Sequence, residues 1–294
     1  MDINIEQVGF LLLITSIVAI VVRKIKLPYT VGLVLTGIAL NYLPNPPQMH
    51  LTKELIFSLF LPPLIFEAAI QINWQHLKKD LPVVLTLAFL GTIISLWIVA
   101  GGLHYCMGWD WIVALLVGTI LSATDPVSVI ATFNESGVTG RLKLLVEAES
   151  LFNDGVVVVL FAVILTILNG GNVSAASLSS SFLFMALGGT AIGILVSLFV
   201  LWIAGRTEDH LVEITLTTIA AYGSFLIAEH FHTSGVLASL ACGLVVGNFG
   251  AIGQLTEKGR EAVLSFWEYI AFVANSLIFV LIGLNLPHQI FTPE

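Results

Sequence analysis

The chain has 294 residues, 57% of them hydrophobic and only 10% charged, with a mean hydropathy of +0.99. Soluble domains carry roughly 25% charged residues, so this composition excludes one and describes an all-α polytopic membrane protein. The formal net charge of −8 gives no basic surplus to suggest a nucleic-acid partner. Nor is it a surface charge to be read as a cationic partner's, because several of the acids lie inside apolar segments rather than on a solvated face.

The first apolar run, near 6–22, is preceded by Asp2 and Glu6 and followed by Arg23, Lys24 and Lys26. That charge order is the reverse of a cleavable signal peptide and predicts a retained helix with its N-terminus outside. A short glycine-rich helix follows near 28–43, then one near 52–70 containing Pro62-Pro63 and Glu67, and one near 81–105. The fifth, near 111–133, carries Ser122-Ala-Thr-Asp125-Pro126, and the sixth, near 143–168, carries Glu149-Ser-Leu-Phe-Asn153-Asp154. Asn169-Gly-Gly-Asn172 and the serines Ser177 to Ser181 read as an external loop between two halves. Four more helices are predicted near 180–204, 211–230, 234–250 and 262–284, about ten in all.

Basic residues test this count. Arg23, Lys24, Lys26, Lys78, Lys79, Arg141, Lys143, Arg206, Lys258 and Arg260 all follow odd-numbered helices, and of the 11 Lys and Arg only Lys53 does not. The positive-inside rule places those loops in the cytoplasm and both chain ends outside. A weak repeat joins the halves: Val31-Gly-Leu-Val-Leu-Thr-Gly37 matches Leu237-Ala-Ser-Leu-Ala-Cys-Gly243, and Pro63-Leu-Ile-Phe66 matches Ser276-Leu-Ile-Phe279. The offset of seven helices is odd, which is the inverted-repeat layout of many secondary transporters.

The chemistry concentrates in helices five and six. Proline in mid-helix removes a hydrogen bond and clashes with the preceding turn, so Thr124-Asp125-Pro126 predicts an opened helix. An opened helix exposes carbonyls such as that of Thr124 beside the Asp125 carboxylate, and both suit a cation. The alternative is a simple proline kink in which Asp125 caps the next half-helix. On helix six, Ser150 and Asp154 share a face, as do Glu149 and Asn153, by their spacing of four. Burial disfavours the charged form of a carboxylate, which brings it toward proton exchange near neutral pH; deprotonated, it is a hard oxygen ligand for an alkali cation. The bland alternative is hydrogen bonding between helices.

Other polar groups read as structural. Glu229, His230 and His232 make a poor zinc constellation and fit a helix-end or pH-sensing role. Glu147, Glu213 and Glu268 lie near helix ends, where partial hydration is expected. Cys106 and Cys242 are far apart, offer no disulfide framework, and read as packing residues. No phosphate-binding glycine loop implies a cofactor, and no Ser-His or His-Glu-x-x-His pattern suggests an intramembrane enzyme.

Leu61-Pro-Pro-Leu-Ile-Phe-Glu67, Ala123-Thr-Asp-Pro-Val127, Glu149-Ser-Leu-Phe-Asn-Asp154 and Phe266-Trp-Glu268 with Asn275-Ser276 resemble the sodium/proton exchangers of the cation:proton antiporter superfamily. The likeness is to the branch with an Asn-Asp pair and runs along the whole chain. It implies Asp154 as the main carrier of cation and proton, with Asp125, Ser150 and the Thr124 main-chain carbonyl completing the ion's shell. Asn153 and Glu149 would organise the site. Apart from the resemblance, Glu67, on the third helix after Pro62-Pro63, is a candidate to approach the ion through a water. The resemblance further implies electroneutral Na+/H+ antiport by alternating access, a homodimer, and a plasma-membrane location. Rival readings are a K+/H+ exchanger and a non-transporting membrane scaffold.

The resemblance also implies an inverted-repeat exchanger fold in one transmembrane domain: a first repeat over about 1–168, a linking helix near 180–204 and a partial second repeat over about 210–294. Such exchangers continue for about three more helices, with a second opened helix and an arginine that pairs with the helix-six Glu. This chain stops at Glu294 with no arginine after Arg260. The expectation is therefore of a C-terminally truncated exchanger in which Glu149 lacks that partner and the chain alone inserts but shows little or no exchange.

Overall fold

The computed structural model describes residues 5–25, 27–42, 52, 55–124, 129, 133, 140–168, 170, 175–250 and 255–290. All regular structure among them is helical: α1 (Ile5–Ile25), α2 (Tyr29–Leu40), α3 (Leu55–Gln71), α4 (Trp74–Met107), α5 (Trp111–Leu121), α6 (Arg141–Leu168), α7 (Ala175–Ala204), α8 (His210–His230), α9 (Gly235–Phe249) and α10 (Glu257–Ile290). Five of these ten are long and apolar enough to cross a membrane unaided: α4, α6, α7, α8 and α10.

Two departures from the sequence reading have local causes. α4 starts at Trp74 rather than near 81, because the Asn73 side chain caps it by accepting from the Gln75 and His76 amides at 2.9 and 3.3 Å. Lys78 and Lys79 are thus helical. α5 ends at Leu121, and Ser122, Ala123 and Thr124 are not helical. Asp125, Pro126 and the rest of the stretch assigned to helix five lie outside the described residues, apart from 129 and 133. α3 opens on a widened π-helical segment, Leu55–Phe60, directly before Pro62-Pro63, where two consecutive residues have no N–H to donate backwards.

The chain divides into two compact units. One comprises residues 1–64 and 265–294. Its core gathers Leu11, Leu33, Leu40, Phe60, Leu277, Val280 and Leu281. Tyr29 stacks on Phe272 and shares a 2.7 Å hydrogen bond with the Ser276 hydroxyl, while Asn41 donates to the Leu284 carbonyl at 2.6 Å. Gly37 lies so close to the backbone of Val280, Gly283 and Leu284 that a Cβ there would collide with it.

The other unit, residues 65–264, is built around α9, whose residues are almost all buried. α9 packs on α6, α7 and α8, and α5 packs on α4 and α6. Gly189 and Gly193 bring α7 against the Ser234 and Ala238 carbonyls, and Gly243 and Gly247 bring α9 against the backbone of Phe66 and Ile70. Gly243 is the repeat partner of Gly37; Gly243 meets Ile70 and Gly37 meets Gly283, residues that stand four places after the matched Phe66 and Phe279, so the repeat read from letters recurs as one close backbone approach in each unit. Small residues allow such approach where no hydrophobic force drives helices together.

In this second unit the basic residues gather at one end. Arg141 at the start of α6 forms a bidentate pair with Asp80 near the start of α4, at 2.7 and 3.0 Å. Asn248 at the end of α9 accepts from the Trp74 amide at 2.7 Å and donates to the Ile72 carbonyl at 2.8 Å. Glu213 at the start of α8 accepts from the Thr256 amide at 3.1 Å, which brings the start of α10 to the same end. Arg206 directly follows α7 and stacks on Trp202. A scrambled helix count would have scattered these charges.

Candidate functional site

α6 is 28 residues long and Asp154 lies at its middle, about 20 Å from either end at 1.5 Å per residue. The interruption of α5 comes at a similar depth, since Leu121 is its eleventh residue. Helix-ending carbonyls and amides at that depth have no water to satisfy them and must find partners inside the protein.

Those partners come from one face of α6. The Asn153 side chain accepts from the Thr124 amide at 3.3 Å and donates to the Ser122 carbonyl at 3.3 Å and to the Thr92 hydroxyl at 2.7 Å. An amide carries both donor and acceptor, so one residue replaces two bonds that the ended helix cannot make. Ser150 donates its hydroxyl to the Thr124 carbonyl, and the Thr124 hydroxyl donates to the Glu149 carboxylate. Ser122 turns back to the Thr119 carbonyl at 2.7 Å. Asn153, Ser150, Ser122 and Thr92 are all buried, whereas Asp154 and Glu149 are half-buried.

The structure thus brings together Thr124, Glu149, Ser150 and Asn153, with Asp154 one residue along α6. Asp125 lies outside the described residues. Glu67 accepts a hydrogen bond from Gln71, one turn along its own helix. Sequence reasoning missed Thr92. Its signal was a hydroxyl in an otherwise apolar run directly after Gly91, where α4 loosens into the π-helical segment Leu87–Gly91. Thr92 returns its own hydrogen to the Ala88 carbonyl, leaving its oxygen to accept from Asn153.

Two other assignments need correction. Glu213 was expected to be partly hydrated, yet it is 0% exposed. Its carboxylate accepts from the Thr256 amide and hydroxyl at 3.1 and 3.4 Å, and Gly259 lies so close that any Cβ would overlap it. Cys106 was read as a packing residue but is exposed, whereas Cys242 is buried and donates to the Ala220 carbonyl at 3.5 Å. Glu147 reaches Lys143 at 3.8 Å with a third of each side chain exposed, in keeping with partial hydration. Glu229 keeps a helix-end role, accepting from the Gly235 amide at 3.1 Å at the start of α9.

The family model for the transmembrane sodium/hydrogen exchanger matches residues 10–294. The chain belongs to the sodium/hydrogen exchanger family. Among its relatives, the Na(+)/H(+) antiporter ApNhaP of Aphanothece halophytica is 43% identical over 260 residues, 88% of this chain and 50% of that protein. The low-affinity Na(+)/H(+) antiporter NhaS1 of Synechocystis is 37% identical over 95% of this chain and 54% of its own length. This exchanger chain therefore spans about half the length of those curated relatives. Among solved structures, the sodium proton antiporter MjNhaP1 of Methanocaldococcus jannaschii superposes with a TM-score of 0.77 at 23% identity, covering 95% of this chain and 69% of that one. That likeness establishes the exchanger fold. Fold and family together make the chain an integral multi-pass membrane protein of the secondary-transporter class.

Proposed function

We propose that this exchanger carries out Na+/H+ antiport, with cation and proton competing for Asp154 and Asp125. The observation that carries the reading is the interrupted α5, whose freed backbone is held at mid-depth by Ser150 and Asn153 beside Asp154. Deprotonated Asp154 would ligate Na+ together with the Ser150 hydroxyl and the Thr124 carbonyl. Those two oxygens are hydrogen-bonded to each other in this structure, so cation binding exchanges one internal hydrogen bond for two oxygen ligands. Protonation of Asp154 removes the ligand charge and releases the cation, and alternating access then couples the two fluxes in opposite directions.

Asn153 bears on the charge balance. As a neutral amide occupied by Thr92, Ser122 and Thr124 it adds no titrating group, which favours one proton for each Na+ and electroneutral exchange. The names of the relatives specify Na+ and support that ion over K+. The basic end of the second unit would face the cytoplasm, with the N-terminus outside, the plasma membrane as the host bilayer, and a homodimer as the working assembly. Na+-driven proton movement in proteoliposomes of the full-length protein tests the proposal. Exchange insensitive to membrane potential is the expected result; K+-driven movement at the same rate would overturn the ion assignment.

A further inference from the structure

A cavity of about 400 Å³ opens at the basic end of the second unit, well away from the α5–α6 cluster. It is lined by Asn73, Trp74 and Lys78 of the α3–α4 turn and early α4, by Asn248 and Phe249 of α9, and by Arg260 of α10. No lining residue is acidic, and among the described residues neither Lys78 nor Arg260 forms an ion pair. Both cations sit at the starts of their helices, the ends where the backbone dipole already carries positive charge and disfavours a cation. The first amides of α4 are already satisfied by the Asn248 and Asn73 side chains, so Lys78 and Arg260 are the charged donors left to an anion in the cavity. The result is a concavity lined by two cations and no acid; the carboxylates nearest to them in sequence, Asp80, Glu257 and Glu261, lie outside its lining, and Asp80 is held by Arg141. Two exposed aromatic rings, Trp74 and Phe249, are part of its lining. Aromatic rings beside basic side chains are the pattern of a membrane–water interface on the side that Lys and Arg mark.

We propose that this cavity binds the phosphate of an anionic ligand, between Lys78 and Arg260, with the headgroup of an anionic phospholipid as its source. Arg260 supplies a planar fork suited to two phosphate oxygens and Lys78 a point charge opposite it. Asn248, already fixed by Ile72 and Leu244, forms a rigid wall, and Trp74 and Phe249 meet the glycerol and upper acyl chain. Occupancy would tie the end of α9 and the start of α10 to the start of α4.

The test is lipid binding to the purified full-length exchanger in neutral detergent, read by native mass spectrometry with phosphatidylglycerol, phosphatidylcholine and inorganic phosphate as separate probes. The K78Q/R260Q variant is compared with K79Q/K258Q, which removes the same charge at the same end without touching the cavity. Phosphatidylglycerol should bind the native protein and the K79Q/K258Q control alike, and K78Q/R260Q weaker on the order of twentyfold, the loss expected for two basic contacts. Phosphatidylcholine should show no such difference. Discrimination by inorganic phosphate at low millimolar concentration, with none by the lipid, would overturn the lipid as source and leave a free-phosphate site. Equal weakening in both double variants would show diffuse surface charge and overturn the site altogether.

Discussion

Two polar regions inside the second unit differ in how they spend their hydrogen bonds. At the start of α8, the Glu213 carboxylate is wholly buried, satisfied by Thr256, and crowded by Gly259. At the middle of α6, the buried groups are neutral, Ser150, Asn153 and Thr92, and the acids beside them remain half-buried. The first region is a clasp between helix ends with no room for an ion. The second holds the end of a helix by neutral side chains and keeps its two carboxylates half-buried beside it. Burial of an acid in a membrane protein is therefore not by itself a sign of transport; what matters is whether it lies beside backbone that a helix ending has left available as further oxygen ligands.

The sharpest contrast is a pair of isosteric changes. Asp154→Asn should lower Na+/H+ exchange by more than about a hundredfold with insertion and thermal stability preserved, whereas Glu213→Gln should leave the apparent Na+ affinity unchanged in the same flux assay. Loss of affinity in the Glu213 variant would erase the distinction between the regions. Next comes Asn153→Ala, which strands the Thr124 amide, the Ser122 carbonyl and the Thr92 hydroxyl. Each buried group left without a partner costs about 1–3 kcal/mol, so thermal denaturation should show a clear loss of stability along with reduced exchange. Gly259→Ala places a methyl group on the Glu213 carboxylate and should destabilise by about 1–3 kcal/mol, visible in a melting curve, with the Na+ dependence of the remaining flux unaltered. The smallest effect concerns acidity: if proton and cation share Asp154, the apparent KM for Na+ should rise steadily as pH falls. A KM independent of pH across the active range would mean separate sites.

Much of this was legible in the letters. Helix count and order followed from apolar length and from the one-sided placement of Lys and Arg, because both are properties of composition along the chain. The Thr124–Asp154 neighbourhood was legible because a Pro in mid-span and a polar stretch on α6 each violate the apolar rule, and together they mark one depth. Thr92 was not legible: a single hydroxyl in a membrane helix most often bonds its own preceding turn, as Thr86 does to the Pro82 carbonyl at 2.6 Å. Only packing reveals that Asn153 of another helix reaches the same oxygen. Glu213 was misread for the related reason that nearness to a helix end in sequence says nothing about what the next helix end brings against it. The repeat, faint as letters, became firmer once Gly37 and Gly243 were found in equivalent backbone contacts, since glycine there is required by distance rather than by hydropathy.

Proton release on cation binding tests the shared site most directly. Na+ is added to lightly buffered, purified full-length protein at fixed pH, and the protons liberated are counted with and without Asp154→Asn. The expected result is release of about one proton for each Na+ bound, as befits a cation displacing the proton of a carboxylate, and none in the variant. Na+ binding without proton release, or release undiminished by Asp154→Asn, would contradict the assignment of both ions to this carboxylate.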